Sequence, residues 1–303
     1  MIEFERITPE NGQAIRRHLL DCGARSCEYA FANLAIWGRQ KVAFVDGFLV
    51  LFSQFDRRSI YPFPVGRGPL RPVLDALIAD ARERGLLFRI SAMGETECKA
   101  LEELYPGQFR FHSDRDGADY VYRISDLAEL KGKRYQSKRN FANRFWINHP
   151  DAQVLPLDEN TRQAAEEMLE IWFAQRAQID PLGDFHLEKQ AIKRAFCQQQ
   201  ELGMEGLVFM EQGRVLAMCM GSRLSQDTFD VHFEKALDGV DGAYAAINMA
   251  FAKHLREKYP QLEFLNREDD MGIPGLRQAK LSYHPDHLVE KYWARLWEDE
   301  DAH

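Results

Sequence analysis

Two hairpin signals at corresponding places in the two halves of the chain constrain the fold most strongly. Each is a turn dipeptide, Asp46-Gly47 or Gln212-Gly213, that separates two apolar runs. Asp-Gly in this setting is a strong local indication of a tight antiparallel turn. Both halves show the same order of helices, hairpin, helix, strand, helix and strand. This order predicts an α/β (α+β) chain with two copies of one fold, each a mixed, mostly antiparallel sheet flanked by helices. One larger mixed sheet without internal symmetry is the competing interpretation.

Hydrophobic periodicity and turn residues place the individual elements. Thr8-Pro9 predicts a helix start, because threonine caps helices and proline fits the first helical position. In the first half we also predict helices over 31–37, 69–84 and 96–105 and strands over 2–6, 41–45, 48–55, 86–91, 109–112 and 120–123. In the second half we predict helices over 158–176, 186–200, 244–258 and 275–281, strands over 207–211, 214–223, 228–234 and 263–266, and a final apolar segment over 288–293.

The length of 303 residues, with 45% hydrophobic and 28% charged residues, favours two globular domains. We place these domains at 1–130 and 150–303, joined by a basic linker helix over 131–149. No apolar run approaches the roughly 18 residues of a membrane span, and the N-terminus lacks a signal-peptide pattern. The five cysteines are scattered, without a Cys-x-x-Cys pair. This favours a reducing cytoplasm over a disulfide framework or a zinc knuckle.

Charge is unevenly distributed along the chain. Residues 131–144 hold six positive charges and no negative one, although the net charge of the chain is -8. Residues 1–150 carry a net +4 and the remainder a net -12. Like charges at this density repel one another, so a polyanionic partner is one explanation for the basic stretch. A solvated helix face paired with acids elsewhere is the other. The overall acidity argues against a dedicated duplex-DNA binder.

The predicted strand 228–234 carries polar residues on one face. Because successive side chains of a strand alternate, Asp230, His232 and Glu234 share a face opposite three apolar residues. If this face lines a cleft, His232 and Glu234 are suited to act as general base and orienting group. A solvent-facing edge strand is the alternative. Residues two apart on a strand lie roughly 7 Å from each other, too far for easy chelation, so we predict no metal site.

The segment 266–280 follows a predicted strand, and open α/β sheets place ligands at the carboxyl ends of strands. It holds three consecutive acids between basic residues, so it either forms a local ion-pair network or binds an ammonium-bearing substrate. Its polar residues include Asn266, Arg267, Glu268, Asp269, Asp270, Arg277 and Lys280. The glycines Gly239 and Gly242 precede another predicted helix and offer backbone N–H groups to an anion, but nearby acids oppose a diphosphate.

Several segments resemble one family in order and spacing. They are Phe31-Ala32-Asn33-Leu34-Ala35-Ile36-Trp37, Tyr61-Pro62-Phe63-Pro64, Lys133-Arg134-Tyr135-Gln136-Ser137-Lys138-Arg139-Asn140, the segment 266–280 and Ser282-Tyr283-His284-Pro285. Together they resemble the soluble family related to the C-terminal catalytic domain of phosphatidylglycerol lysyltransferases. The resemblance covers nearly the whole chain. It implies two tandem domains of the GCN5-related N-acetyltransferase (GNAT) fold, as in Fem-type aminoacyltransferases, whose donor is aminoacyl-tRNA and not acetyl-CoA.

Two departures from these relatives bear on function. The acetyl-CoA loop of GNAT enzymes reads Arg/Gln-x-x-Gly-x-Gly/Ala, and the matching region 239–246 lacks the basic residue and the second glycine. This argues against binding of coenzyme A. The membrane-embedded half of true lysyltransferases is absent from the sequence, which argues against a lipid acceptor.

The favoured function is a cytoplasmic acyl- or aminoacyltransferase. We expect its basic stretch to bind an aminoacyl-tRNA donor and its cleft to bind a small-molecule amine or hydroxyl acceptor. His232 or Glu234 would take the proton of the acceptor, and Arg267 or Lys280 would stabilise the oxyanion. The predicted substrate-binding residues are Lys138, Arg139, Asn140, Asp230, Asn266, Glu268, Asp269, Asp270 and Tyr283. No cysteine is expected at the cleft. An acetyl-CoA-dependent N-acetyltransferase and a non-catalytic module that binds an amino acid or a nucleotide are the alternatives.

Overall fold

Two mixed, mostly antiparallel sheets organise the structure. The computed structural model describes residues 1–55, 58–179, 183 and 185–297. Contacts divide this part of the chain into two compact units. The first comprises Met1–Asp119, Asp269–Pro274 and the described residues from Leu288 onward, and the second comprises Tyr120–Glu268 and Gly275–His287. The basic stretch thus lies within the second unit. Whether 1–130, 131–149 and 150–303 are the folding domains stays a prediction.

Both units contain helices and strands. The helices are Pro9–Cys22 (α1), Phe31–Trp37 (α2), Leu70–Glu83 (α3), Glu95–Leu104 (α4), Ile124–Glu129 (α5), Gln136–Asn148 (α6), Arg162–Ile179 (α7), His186–Cys197 (α8), Ala243–Lys258 (α9) and Pro274–Leu281 (α10). The strands are Lys41–Val45 (β1), Phe48–Phe55 (β2), Arg58–Pro62 (β3), Val65–Gly66 (β4), Arg89–Met93 (β5), Phe109–Ser113 (β6), Asp119–Arg123 (β7), Gln153–Pro156 (β8), Met204–Glu211 (β9), Arg214–Arg223 (β10), Thr228–Ala236 (β11), Phe264–Asn266 (β12), His287–Val289 (β13) and Tyr292–Leu296 (β14). None of the helices described here is both long enough and apolar enough to cross a bilayer.

The sheet of the first unit has the strand order β1-β2-β3-β5-β14-β6, with β4 paired to β2. Its neighbouring strands are antiparallel except β3 and β5, which are parallel. Helix α3 packs on one face, because Val73, Leu74 and Leu77 recur on one side of the helix and are fully buried. These side chains join a core that also contains Ile90 and Ala294.

The C-terminal strand β14 lies between β5 and β6 in this sheet. Arg295 of β14 is paired with Arg89 on one side and with Arg110 on the other. Ala294 and Leu296, the alternate residues, point into the core. The predicted final apolar segment, 288–293, therefore contains only the beginning of the strand that completes the first sheet.

The sheet of the second unit has the order β13-β7-β12-β11-β10-β9-β8. Strand β11 lies in its interior, parallel to β12 and antiparallel to β10. A strand with a neighbour on each side is not a sheet edge, so the edge interpretation of 228–234 is wrong. A β-bulge after Met220 shifts the register, and it leaves Cys219 opposite Glu234 and Ser222 opposite Asp230.

Most predicted elements are confirmed within a few residues. Both hairpins form, with Asp46 and Gln212 in the left-handed region. The predicted strand 2–6 is reduced to a single bridge between Glu5 and Val42. The short strands β3 and β4 were absent from the prediction. Pro62 and Pro64 lie in and after β3, and proline argues against a strand when the sequence is interpreted alone.

The loop before α9 is packed against the basic helix α6. Gly242 has φ +79°, and a Cβ there would collide with the carbonyl oxygen of Phe141. Gly239 has φ +84°, but a Cβ there would meet no atom within 4 Å. We therefore expect Gly242→Ala to lower the free energy of unfolding by about 2–5 kcal/mol, because strain and overpacking add. Gly239→Ala should cost only about 1 kcal/mol. Urea denaturation checks this, and equal losses for both variants would contradict the packing of α6 on this loop.

Candidate functional site

Three polar side chains of β11 face one side of the second sheet, as predicted. Asp230 is fully buried, and the side chains of His232 and Glu234 are only 1% and 11% exposed. These polar groups have little access to water, because β11 is an interior strand. Each therefore needs a hydrogen-bonding partner within the protein or on a ligand.

The Glu234 carboxylate binds two donors from other elements of the second unit. Arg267 Nη2 donates to Oε1 at 2.9 Å, and Asn248 Nδ2 donates to Oε2 at 2.9 Å. Burial alone would lower the pKa of Arg267, but the adjacent Glu234 carboxylate outweighs it and the pKa is raised. The second terminal nitrogen of Arg267, Nη1, is buried and has no hydrogen-bond partner among the described residues. A permanently charged donor is therefore available at this place.

Two tyrosines and a lysine surround the Arg267 guanidinium. Its central carbon lies 4.8 Å from the ring centroid of Tyr283 and 5.6 Å from that of Tyr122. The ammonium of Lys138, on α6, lies 4.2 Å from the centroid of Tyr283. Burial lowers the pKa of Lys138, and the charge of Arg267 lowers it further. The structure thus brings together the predicted residues Lys138, Glu234, Arg267 and Tyr283.

His232 is held by hydrogen bonds at both ring nitrogens. Nδ1 lies 3.1 Å from Glu268 Oε1 and 3.5 Å from Asp230 Oδ2, and Nε2 lies 2.8 Å from Ser222 Oγ. An ionised carboxylate only accepts hydrogen bonds, so Nδ1 carries the proton and Nε2 accepts from the serine hydroxyl. Asn266 Oδ1 accepts the backbone N–H of Glu268 at 2.7 Å and fixes this acid beside the ring. The arrangement can pass a proton from the hydroxyl to the imidazole.

The same residues include a possible set of metal ligands. One ligand atom each from Asp230, His232 and Glu268 lies within 4.8 Å of the others. The prediction of no metal rested on the separation of His232 from Glu234 and did not consider Glu268. The hydrogen bond between His232 and Glu268 already satisfies both groups without an ion, and the absence of a metal stays a prediction.

Lys280 contacts the backbone of its own segment. Its side chain is buried, and its Nζ donates to the backbone carbonyls of Arg267 and Glu268. These bonds fix the loop that carries both residues, together with the backbone bonds from that loop to Tyr120. These two bonds give Lys280 a positioning role for the loop, and its predicted role at the oxyanion stays a prediction.

Two predicted residues of α6 also differ in their surroundings. Arg139 Nη1 donates to the carbonyls of Leu130 and Gly132, which anchors the helix to the turn before it. Asn140 is exposed on the surface of the helix. Neither residue contacts the Glu234–Arg267 pair among the contacts described, so the structure does not bring them into this cluster.

The three consecutive acids do not form one group. Glu268 belongs to the second unit, whereas Asp269 and Asp270 belong to the first. Asp270 is fully buried; it accepts the N–H of Gly272 at 2.9 Å and forms an ion pair with Arg115 at 3.4 Å. Asp269 is partly exposed. Asp270 thus forms an ion pair with a residue outside this segment, and the local ion-pair network with Arg267, Arg277 and Lys280 stays a prediction.

Sequence reasoning missed three residues of this cluster, namely Asn248, Ser222 and Cys219. Cys219 is the cross-strand partner of Glu234, so it lies on the same face, contrary to the expectation of no cysteine there. Burial raises the pKa of this thiol well above its ordinary value, which excludes a thiolate nucleophile at neutral pH. The register between β10 and β11 brings Cys219 and Ser222 to this face, and the packing of α9 brings Asn248 to Glu234. No local sequence signal indicates either arrangement.

Acidic residues offset part of the basic stretch. Within the second unit, Lys131 pairs with Glu129 at 2.6 Å, Arg134 with Asp126 at 2.8 Å and Arg144 with Asp241 at 3.8 Å. All three pairs are solvent-exposed and therefore weak. Lys133 is exposed as well. The stretch is a charged helix surface whose cations remain available to a polyanion.

The first unit contains a separate buried ion cluster. Lys291, 4% exposed, places its Nζ 2.6 Å from Asp119 Oδ1, 2.8 Å from Glu28 Oε1 and 3.4 Å from Cys27 Sγ. Burial alone would lower the pKa of Lys291, but these three neighbours raise it well above its ordinary value. The ligand atoms of the three neighbours lie close enough to hold a metal, and the ammonium supplies the positive charge in its place.

Comparison with known proteins gives the family. A family model described as "Phosphatidylglycerol lysyltransferase, C-terminal" matches residues 21–295. A conserved protein of unknown function from Bacteroides thetaiotaomicron VPI-5482 is 36% identical, with a TM-score of 0.92 over 98% of this chain and 100% of that one. A curated, uncharacterised protein of Mycoplasmoides gallisepticum is 23% identical over 59% of this chain, and the match spans only 56% of that relative.

More distant structures establish the fold. L-PGS from Bacillus licheniformis is 15% identical, with a TM-score of 0.72 over 97% of this chain and 94% of that one. A tandem GNAT protein from the clavulanic acid biosynthesis pathway is 8% identical, with a TM-score of 0.50 over 97% and 98%. The prediction of two tandem GNAT-like folds is confirmed. Family and fold together indicate a GNAT-like acyltransferase, and the chain belongs to the phosphatidylglycerol lysyltransferase C-terminal family.

Proposed function

We propose that the chain transfers an aminoacyl group from aminoacyl-tRNA to a small-molecule amine or hydroxyl at the Glu234–Arg267 site of the second unit. The observation that carries this proposal is the buried Arg267 Nη1, a charged donor without an acceptor among the described residues. The family name supports it, since the relatives that define the family are lysyltransferases.

The groups around Arg267 suit attack on an activated ester. The acceptor nitrogen or oxygen attacks the aminoacyl carbonyl carbon, and the oxyanion that forms accepts a hydrogen bond from Arg267 Nη1. Glu234 holds the guanidinium in place through Nη2 at 2.9 Å. As the tetrahedral intermediate collapses, the ester C–O bond breaks, and the terminal ribose hydroxyl of the tRNA leaves with the proton that the acceptor gave up and that His232 returns through Ser222.

His232 provides the route for the proton of the acceptor. Its Nε2 accepts from Ser222 Oγ at 2.8 Å, and Glu268 stabilises the imidazolium that forms when the ring takes a proton. The acceptor proton moves to the Ser222 oxygen while the serine proton moves to His232. Ser222 is thus a relay, and no covalent enzyme intermediate is required, because the donor ester is already activated.

The packing of the loop before α9 favours a tRNA donor over acetyl-CoA. In GNAT enzymes the loop that binds the pyrophosphate of acetyl-CoA precedes a helix N-terminus, and this region matched 239–246 in the sequence. Here the backbone of α6 lies against Gly242 at that position. The basic stretch on and before α6 offers Lys133 and Arg144 to phosphates instead.

A transfer assay tests the proposed function. The chain is incubated with lysyl-tRNA and a dialysable extract of small metabolites, and products are followed by mass spectrometry. We expect faster loss of lysine from the tRNA than in buffer and a new small molecule heavier by one lysyl residue. Acetyl transfer from acetyl-CoA without lysyl transfer would instead establish the acetyltransferase alternative. Tight ligand binding without turnover of either donor would establish the binding module.

The contribution of the basic stretch is tested separately by tRNA binding. Lys133→Gln combined with Arg144→Gln should weaken binding and reduce the slope of log K against log salt by about 1.4–1.8, because two phosphate contacts are lost. Lys193→Gln combined with Lys253→Gln removes two exposed charges from α8 and α9 and serves as the matched control. Equal salt slopes for the two double variants would show that tRNA does not bind at Lys133 and Arg144.

A further inference from the structure

A cavity of about 360 Å³ opens on the sheet of the first unit. Arg89 and Ser91 of β5 and Trp293 of β14 line it. These residues alternate along their strands with Ile90 and Ala294, whose side chains belong to the core, so they lie on the outer face of the sheet. All residues that line the cavity belong to the first unit. A volume of this size holds a small metabolite, and sites of this kind combine an apolar or aromatic wall with a few placed polar groups.

One end of the cavity is positively charged. Arg89 is partly buried there, and its Nε is shielded from solvent without an acceptor among the described residues. The guanidinium also forms no ion pair within the part of the chain that the structure describes. A guanidinium binds a carboxylate through two parallel hydrogen bonds. This end of the cavity therefore offers a place for the carboxylate of a ligand.

The other end of the cavity is negatively charged. Glu28, Asp114 and Lys291 line it there. Lys291 pairs with Glu28 at 2.8 Å and with Asp119 at 2.6 Å, so one ammonium serves two carboxylates. Asp114 adds a third carboxylate, which is exposed, accepts the N–H of Gly117 at 3.0 Å and forms no ion pair with a described residue. Three carboxylates beside one ammonium attract a positively charged group of a ligand.

The sheet register sets the distance between the two ends. Arg89 is level with Arg295, whereas Asp114 is level with Lys291 and donates its N–H to that carbonyl at 2.7 Å. The four residues from Lys291 to Arg295 span roughly 13 Å along the strand. Trp293 lies midway between the two levels. An α-amino acid holds its ammonium and carboxylate too close together to reach both ends, but a ligand with several carbons between these groups can do so.

We propose that the first unit binds an ω-amino carboxylate, with its carboxylate on Arg89, its hydrocarbon chain along the Trp293 indole and its ammonium at Asp114. The ligand carries both charges, so the site needs no net positive potential. It is distinct from the acyl-transfer site of the second unit and does not depend on that reaction. A free basic amino acid, through its α-carboxylate and side-chain ammonium, and a short peptide, through its two termini, share this chemistry.

Calorimetry on the full chain at constant ionic strength tests the required spacing. The main probe is 6-aminohexanoate, which separates the two charges by a hydrocarbon chain. Glycine has both charges without the spacer, and hexanoate and hexylamine each keep only one charge. We expect 6-aminohexanoate to bind at least about tenfold more tightly than any of these three. L-Lysine and triglycine then distinguish the two sources: the tighter of them identifies a free amino acid or a peptide, and either result supports the proposal.

Two variants test the ends of the site separately. Arg89→Gln should weaken binding of 6-aminohexanoate by at least about tenfold. Asp114→Asn should weaken it by about threefold, because solvent screens this exposed carboxylate, and asparagine keeps the acceptor for the N–H of Gly117. Arg17→Gln and Asp46→Asn make the same charge changes at exposed positions of the first unit and should leave the Kd within about 1.5-fold. The unfolding midpoints of the ligand-free variants establish that they are folded.

Two kinds of result would overturn the proposal. The first is a failure of 6-aminohexanoate to bind at up to about 10 mM, or binding of glycine that is equally tight, because the charges of the ligand then need no separation. The second is a folded Arg89→Gln or Asp114→Asn variant that binds 6-aminohexanoate as the unchanged chain does, because the ligand then lies elsewhere.

Discussion

Replacing Lys291 with methionine should lower the free energy of unfolding by about 3–5 kcal/mol, because it leaves buried carboxylates without their charge partner. Asp119 is fully buried and has Lys291 at 2.6 Å as its ion-pair partner. The pKa of Lys291 is raised in the folded chain above the unfolded value of about 10.4. The stabilisation is therefore fully present at pH 7 and declines only as the pH rises through the folded pKa. Urea unfolding followed by circular dichroism measures the loss.

Two further variants serve as a control and as a rescue for Lys291→Met. Lys99→Met removes an exposed lysine from α4 in the same unit and should change the stability by less than about 0.5 kcal/mol. Adding Asp119→Asn to Lys291→Met should recover at least about 1 kcal/mol, since no ionised carboxylate then remains fully buried. A loss for Lys291→Met as small as that for Lys99→Met would show that the ion cluster does not stabilise the first unit.

Exchanging Arg267 for lysine should lower kcat for the proposed aminoacyl transfer by about 10²–10³-fold. Lysine keeps the positive charge beside Glu234, so it avoids a buried unpaired carboxylate. It loses the second terminal nitrogen, which is the donor assigned to the oxyanion, and the planar contact with Tyr283 at 4.8 Å. Removal of a donor that acts only in the transition state lowers kcat and kcat/KM together. Steady-state kinetics with lysyl-tRNA measures both.

Arg256→Lys is the matched control for this change. Arg256 pairs with Glu129 at 2.8 Å on a more exposed surface of the same unit, and lysine can keep that pair. Its kcat should stay within about twofold of the unchanged chain. If Arg267→Lys retained the full rate while remaining folded, the oxyanion role of Arg267 would be wrong.

The local parts of the site were predictable from the sequence. Alternation along a strand is a rigid geometric rule, so the common face of Asp230, His232 and Glu234 followed from their spacing alone. The turn that connects the two strands of each hairpin was predictable from Gly47 and Gly213. In both cases the information lies within a few residues of the feature it determines.

Long side chains and strand register were not predictable in this way. Lys280 reaches the carbonyls of Arg267 and Glu268, and this depends on where α10 lies relative to β12. Cys219 faces Glu234 because of the register between β10 and β11, which includes a bulge. Both contacts depend on tertiary packing, which is determined by many residues together and not by a local sequence pattern.

The position of β14 has a consequence for synthesis of the chain. In the part of the chain that the structure describes, strand β6 joins its sheet only through β14, which begins at Tyr292, whereas β5 ends at Met93. A ribosome adds about 5–20 residues per second, so β14 emerges about 10–40 s after β5. During that time the facing edges of β5 and β6 have open backbone groups that invite wrong pairing. The sheet of the first unit is therefore incomplete until β14 is synthesised, and until then the edges of β5 and β6 must be kept from pairing wrongly.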